Sequence, residues 1–281
     1  MTPIFYEFDP ELPPGLPFND RSGWEEFHNL RRKIFQSAEI SQYFQEVLGY
    51  RYYPKGCRFP GTPLLTVYAT PEELNYPAIK SRPDWFNLEV FQEQTLNKTP
   101  VVPLEKLVPT DFLAEDLGGR FSGKLVYVSL GSMGSVNLVL MRRLISVLGK
   151  TPHKYIVSKG HLHEHLKLEQ NMTGGRYLPQ VELLGHVDLV ITHGGNNTVT
   201  ETWAQGKPMI VLPLFADQFD NAQRISETGY GIRLDTYGFT DEELIGAVDR
   251  LLTDKKVQDK MKTAGQRMLN SGSKHELLAD K

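Results

Sequence analysis

The chain has 281 residues, a formal net charge of −3, and 40% hydrophobic and 23% charged residues, which supplies enough apolar material for one large or two modest globular domains. With a nearly balanced charge and no long Lys/Arg block, it lacks the electrostatic footprint that nucleic acid or an anionic membrane surface demands, so no nucleic-acid partner is expected. Cys57 is the only cysteine, which excludes a disulfide or a thiolate metal cluster within one chain.

The first stretch, MTPIFYEFDPELPPG, has no basic segment followed by an apolar one, and no apolar run in the chain approaches the ~18 residues of a membrane span. A soluble cytoplasmic chain is the expectation. Residues 1–122 are irregular, with proline-rich pieces around one helix-like run, GWEEFHNLRRKIFQSAEISQYFQEVLG, where Trp24, Phe27, Leu30, Ile34 and Phe35 recur at helical spacing and Gly49 is a natural stop. PLLTVYA and WFNLEVF read as strands. These residues are expected to form a partial N-terminal domain and linker.

From residue 123 the texture becomes strand-then-helix alternation. KLVYVSL, KYIVS, VDLVIT, MIVLPLF and GIRL read as strands, and SVNLVLMRRLISVLG, NTVTETWAQ and NAQRISETG as helices. TDEELIGAVDRLL opens with a capping box in which Thr240 is answered by Glu243. Such alternation predicts an α/β fold with a parallel sheet covered on both faces. The second domain is expected over 123–270, with a tail over 271–281. Ligands of open parallel sheets bind beyond the carboxyl ends of the strands, so the residues that follow the strands are the candidates.

After KLVYVSL comes Gly131-Ser132-Met133-Gly134-Ser135, small residues that let backbone amides approach an anion. Turn glycines are common for conformational reasons alone, and neither the dinucleotide fingerprint nor the P-loop is matched. After VDLVIT come His193, Gly194 and Gly195, with Asn197 and Thr198 opening a helix whose first N–H groups are free. That loop suits a diphosphate, with the imidazole as an added donor. Glu201 lies four residues after Asn197, on the same helix face, and a carboxylate there suits a vicinal diol. Tyr177-Leu178-Pro179-Gln180 offers an aromatic face and an amide for a base, and Asp217-Gln218 offers polar groups for sugar hydroxyls. Together these describe a site for a nucleotide sugar.

Residues 176–218, RYLPQVELLGHVDLVITHGGNNTVTETWAQGKPMIVLPLFADQ, resemble the donor-binding signature of UDP-sugar-dependent glycosyltransferases of the GT-B fold, particularly the animal UDP-glycosyltransferases and the bacterial macrolide-type enzymes. P-Q, H-G-G-x-N-[ST]-x-x-E and P-x-x-x-D-Q recur at fixed spacing over some forty residues, and the likeness extends from about Lys124 to Met268. The resemblance implies that Tyr177 stacks on uracil and Gln180 contacts the nucleoside. It implies that Glu201 holds the ribose hydroxyls, that Ser132, His193, Gly195, Asn197 and Thr198 form the diphosphate loops, and that Asp217 and Gln218 read the hexose. Asn196 stands where plant relatives have tryptophan.

In that family the base that deprotonates the acceptor is a histidine near the start of the first domain. Nothing before Lys124 matches that opening; His28 lies inside the helix-like run. No catalytic residue is therefore assigned. The implied activity is inverting transfer of a hexose from a UDP-sugar to a hydroxyl of a small lipophilic acceptor, with the UDP-sugar as co-substrate and no cofactor. Two alternatives stand beside it: a truncated, catalytically impaired protein that binds UDP-sugar or pairs with a full-length relative, and a nucleotide-sugar epimerase. His161, His163 and His165 do not share one helix face and no D-x-D occurs, so no metal is expected. Three N-x-[ST] sequons, at Asn97, Asn171 and Asn196, are read as chance matches, and glycosylation at Asn196 would block the donor loop.

Overall fold

A computed structural model describes residues 15–35, 65–80, 82–91, 102–271 and 274. Asn97, Cys57, the stop at Gly49 and most of the tail lie outside the described residues. In the first part, α1 (Trp24–Phe35) is followed by β1 (Thr66–Tyr68), α2 (Pro77–Lys80) and β2 (Trp85–Asn87), then by α3 (Thr110–Ala114). The strands β1 and β2 pair in parallel, Thr66 opposite Trp85.

The second part alternates as its pattern predicts. In chain order it runs β3 (Leu125–Ser129), α4 (Gly131–Gly134), α5 (Leu138–Leu148), β4 (Lys154–Ser158), β5 (Met172–Gly175), α6 (Gln180–Leu184) and β6 (Leu189–Thr192). It continues with α7 (Asn196–Ala204), β7 (Met209–Val211), α8 (Gln218–Glu227), β8 (Gly231–Arg233), α9 (Asp241–Thr253) and α10 (Lys255–Asn270). The six strands form one parallel sheet in the order β5-β4-β3-β6-β7-β8. Thr240 and Glu243 form the expected capping box of α9, and Asp254 caps α10 by accepting from Lys256 and Val257 N–H.

Both sheet faces are covered, which explains why the strands are continuous apolar runs rather than alternating ones. Val126, Val128, Leu189, Ile191 and Ile210 face the layer of α5 and α9, meeting Leu144, Leu148, Leu244 and Val248. Leu125, Tyr127, Val190, Met209 and Val211 face the layer of α7, α8 and α10, meeting Val199, Trp203, Ile225 and Met261. Asn171 is 3% exposed and its Nδ2 donates to the carbonyls of Leu148, Thr151 and His153. Its amide nitrogen is thus committed to joining α5 to β4, which fits the reading of that sequon as a chance match.

The strand β5 is absent from the sequence reading. Its four residues, Met172–Gly175, include two glycines, and a Cβ on Gly174 would stand 2.0 Å from the Val157 carbonyl oxygen. Close backbone approach between β4 and β5 thus selects the residue that weakens a strand pattern.

The first part is docked on the second. Leu74, Val90, Val108 and Phe112 enter the core beneath α7 and α10. Arg267 of α10 donates to both Glu73 and Glu89, and Lys274 lies 2.9 Å from Glu89. Arg224 of α8 donates to the Leu74 carbonyl and lies over the Tyr76 ring, 4.5 Å from its centroid. The Tyr76 hydroxyl donates to Asp220 at 2.5 Å.

Two outcomes follow from this packing. Gly174→Ala forces β4 and β5 apart and lowers stability by about 2 kcal/mol or more, read as a lower urea midpoint with unchanged slope. Burial pushes the Asp220 carboxyl up to about 7, above the ~3.9 of an unfolded aspartate. The folded state therefore holds the extra proton, and the stability it confers is complete below about pH 4 and lost as pH rises through about 7. Thermal melts of Asp220→Asn between pH 4 and 7 should fall less with pH than those of the parent chain.

Candidate functional site

The strands β3 and β6 are neighbours in register, with Ser129 opposite Thr192. From β3 the chain proceeds outward to β4 and β5, and from β6 it proceeds the other way to β7 and β8. The connections leave on opposite sides and open a crevice at the carboxyl ends of the strands. A cleft of about 340 Å³ lies there, lined by Gly131, Ser132 and Met133 after β3, by His193 and Gly195 to Thr198 after β6, and by Phe215, Asp217 and Gln218 after β7.

The imidazole of His193 is wedged between two glycines. A Cβ on Gly131 would come within 2.8 Å of the ring and one on Gly195 within 2.6 Å of Nε2. Gly131 also has φ +67°, so the turn after β3 requires glycine twice over. Thr192 Oγ1 lies 3.3 Å from His193 Nδ1. Burial drives the His193 pKa down to about 4, opposed only in part by a hydrogen bond with the Ser129 backbone. The ring is therefore neutral near pH 7, where it offers one N–H donor and one acceptor.

The helix α7 begins at Asn196 with Gly195 as its N-cap, and no side chain caps it. The Asn196 N–H donates to Asp217 Oδ2. The next N–H groups, of Asn197 and Thr198, belong to the first turn, which has no intrahelical partner for them, and the positive end of the helix dipole lies at the same place. Asn197 is exposed, whereas Thr198 is buried.

Behind this turn, Glu201 is 9% exposed, and its Oε2 accepts a 2.6 Å hydrogen bond from Gln180 Nε2. Burial raises the Glu201 pKa, opposed by the Gln180 amide. Gln180 is the first residue of α6; its Nε2 also donates to Thr198 Oγ1 at 3.3 Å, and its Oε1 accepts from the Tyr127 hydroxyl at 3.2 Å. Gln180, Thr198 and Glu201 thus form one wired group anchored in β3. Tyr177 is 62% exposed. The His161 ring stands edge-on to it at 5.6 Å, and the Arg176 guanidinium lies 5.2 Å from its centroid.

Asp217 and Gln218 are held by local bonds. Asp217 Oδ2 accepts from the Asn196 N–H and from Asn221 Nδ2, and Asn221 also donates to the Gly194 carbonyl. Gln218 Oε1 accepts from the N–H groups of Leu214 and Phe215. These bonds fix the loop after β7 against the start of α7.

Of the residues singled out from sequence, Ser132, His193, Gly195, Asn197, Thr198, Asp217 and Gln218 share the cleft lining. Gln180 and Glu201 stand beside it, joined through the Gln180–Thr198 and Gln180–Glu201 contacts, whereas the contacts of the exposed Tyr177 are with His161 and Arg176, outside that lining. Sequence reasoning missed Tyr127, His161 and Asn221 as supports. Only Asn221 carried a sequence signal, its place four residues after Asp217 on a helix.

The region that carries the cleft is similar to known proteins. The family model described as "UDP-glucoronosyl and UDP-glucosyl transferase" matches residues 117–265, more than half of the chain. Human UDP-glucuronosyltransferase 1A7 is 33% identical over 159 residues, covering 55% of this chain and 29% of the relative. Human UDP-glucuronosyltransferase 1A6 is 34% identical over 140 residues, covering 48% and 26%. The matched region thus spans less than a third of the length of these curated relatives. Among solved structures, the glycotransferase of kitacinnamycin aligns with a TM-score of 0.68 at 19% identity, over 90% of this chain and 64% of that one. A UDP-glucose:anthocyanidin 3-O-glucosyltransferase in complex with UDP aligns with a TM-score of 0.58 at 20% identity, over 74% and 49%. These likenesses establish the GT-B type of fold, and the family match over the sheet, the cleft and the Gln180–Glu201 group places the chain in the UDP-glucoronosyl and UDP-glucosyl transferase family.

Proposed function

We propose that this chain supplies the donor-binding half of a UDP-sugar-dependent glycosyltransferase, and that the reaction it serves moves a hexose from a UDP-sugar to a hydroxyl of a small lipophilic acceptor with inversion. The observation that carries the reading is the hydrogen-bonded group of Thr198, Gln180 and Glu201 directly after the His193 loop, at the switch point of the sheet. In it, the start of α7 and the neutral imidazole meet the diphosphate, Glu201 accepts from the ribose diol, and Tyr177 offers its exposed face to the base. A neighbour of the same fold was solved with UDP.

The acceptor oxygen attacks the anomeric carbon as the bond to the diphosphate breaks, UDP leaves, and a base takes the acceptor proton. Binding contributes mostly by positioning and by stabilising the leaving group as its charge grows. In this reading the diphosphate charge is met by backbone N–H groups and imidazole, with no metal or cofactor. Met133 and Phe215, both exposed, line the cleft with apolar surface, which favours a lipophilic acceptor.

The titratable side chains in the cleft lining are His193 and Asp217, both taken up in the donor reading. Among the described residues, none before Lys124 lines the cleft. In a second reading, the chain binds UDP-sugar without transferring it and a full-length relative supplies the acceptor side. A transfer assay with UDP-glucose and a phenolic acceptor separates the two, since turnover lost on His193→Ala supports the first.

Calorimetric titration should show UDP binding more tightly than UMP, and NAD not at all. Glu201→Ala should weaken UDP by about tenfold to a hundredfold, the worth of a hydrogen bond to a charged group; equal binding of all three nucleotides would refute the donor assignment. Gly195 has φ −60°, so the backbone itself accepts alanine, but the new Cβ would stand 2.6 Å from His193 Nε2 and displace the imidazole. Gly195→Ala should weaken UDP about five- to tenfold, one net hydrogen bond, and lower the melting temperature by a few degrees, about 1 kcal/mol of overpacking.

A further inference from the structure

At the amino ends of the central strands, on the edge of the sheet opposite the donor cleft, three side chains form a hydrogen-bonded row that donor binding does not use. Ser122 precedes β3, His153 precedes β4 and Asp249 lies on α9. Ser122 Oγ stands 2.6 Å from His153 Nδ1, and His153 Nε2 stands 2.9 Å from Asp249 Oδ1. His153 is buried, whereas Ser122 is exposed.

The partners fix the tautomer. An ionised carboxylate only accepts, so the proton of the neutral ring sits on Nε2 and Nδ1 turns its lone pair to the Ser122 hydroxyl. The carboxylate orients the ring, the ring accepts from the hydroxyl, and the hydroxyl oxygen faces solvent. That is the division of roles in a Ser-His-Asp triad, with the two ring nitrogens exchanged relative to the serine proteases. The backbone holds the arrangement: the Ser122 N–H donates to the Pro152 carbonyl at 2.9 Å and the Lys124 N–H to Ser122 Oγ at 3.3 Å. The pairing of Leu125 with Lys154 thus sets the serine beside the histidine. Gly123, the next residue, has φ +75° and nothing within 4 Å of where a Cβ would stand, so there is room for a small molecule beside the hydroxyl. Its N–H has no hydrogen-bond partner among the described residues. An N–H one residue past the nucleophile is one of the oxyanion donors of the nucleophile-elbow hydrolases.

We propose that Ser122 is a nucleophile that takes an acyl group from small carboxylic esters, with His153 as its base and Asp249 as the residue that positions the ring. Ser122 Oγ bonds to the ester carbonyl carbon as its proton passes to His153 Nδ1, and the Gly123 N–H meets the oxygen that gains charge. The alcohol leaves with that proton, and an acyl-serine remains. Water then gives a proton to Nδ1 and attacks the acyl carbon, and the carboxylic acid departs as Ser122 recovers its proton. The open surface at Gly123 has no enclosing wall, which restricts the substrates to small, activated esters. This activity is independent of the donor reading.

The test treats the full chain with p-nitrophenyl acetate and, separately, with a small fluorophosphonate, and locates adducts by peptide mass spectrometry. Ser122 should be labelled at least about tenfold faster than Ser226, an exposed serine of α8 without such a base. Ser122→Ala should abolish that adduct and lower nitrophenol release at least about tenfold. Asp249→Asn, at an exposed position, should slow labelling by a similar factor because the amide no longer selects the Nε2–H tautomer, while UDP binding is unchanged. Labelling of Ser122 no faster than Ser226, or undiminished in Asp249→Asn, overturns the proposal and leaves the row as a tie between β3, β4 and α9. The ratio of the two serines in the parent chain decides the matter even where a variant fails to fold.

Discussion

Everything in this site depends on the adjacency of β3 and β6. Two parallel strands lie side by side, yet the chain departs from them in opposite directions, so no connection crosses above their carboxyl ends. The crevice left there is bounded by the turn after β3 and the loop after β6, and the two meet at a single side chain. His193 fits only because Gly131 and Gly195 have no Cβ on either side of its ring. The wedge fixes the imidazole, and the same burial that fixes it removes its positive charge at neutral pH.

That loss of charge shapes the chemistry available to the cleft. With a neutral imidazole and no Lys or Arg among the described lining residues, an anion there must be met by oriented backbone dipoles and neutral donors. Such groups lose little in reorganising around a leaving group. They are also selective, because a site without mobile cations does not indiscriminately attract negative charge. The acid behind the helix, Glu201, is kept from the anion site by its bond to Gln180, and Gln180 is in turn held by Tyr127 from the central strand. The polar group is therefore braced by the sheet rather than by a loop.

The docking of the first part follows different physics. Glu89 is almost fully buried and is paired with Arg267 and Lys274, while Arg267 also grips Glu73. A buried pair of this kind contributes little net stability but is costly to break on one side, so it fixes where the segment sits. Tyr76 and Asp220 add a second tie three residues from Asp217 along the chain and on α8. The segment before Lys124 and the loop after β7 are thus joined through one short helix.

The local pattern alone determined much of this. The apolar runs of KLVYVSL, KYIVS and VDLVIT, the capping box at Thr240, and the spacing of His193, Asn197, Glu201 and Asp217-Gln218 specify a parallel α/β domain with its polar residues just past the strand ends, because period, caps and turn residues are properties of neighbours in the chain. Other features were settled only by tertiary structure. The strand β5 needs a glycine because Val157 approaches from another strand, and that glycine erases the pattern by which a strand is recognised. Gln180 and Glu201, twenty-one residues apart, become one group only when α6 is set against α7. The neutral state of His193 arises from burial, which depends on what packs around a residue and not on what precedes or follows it.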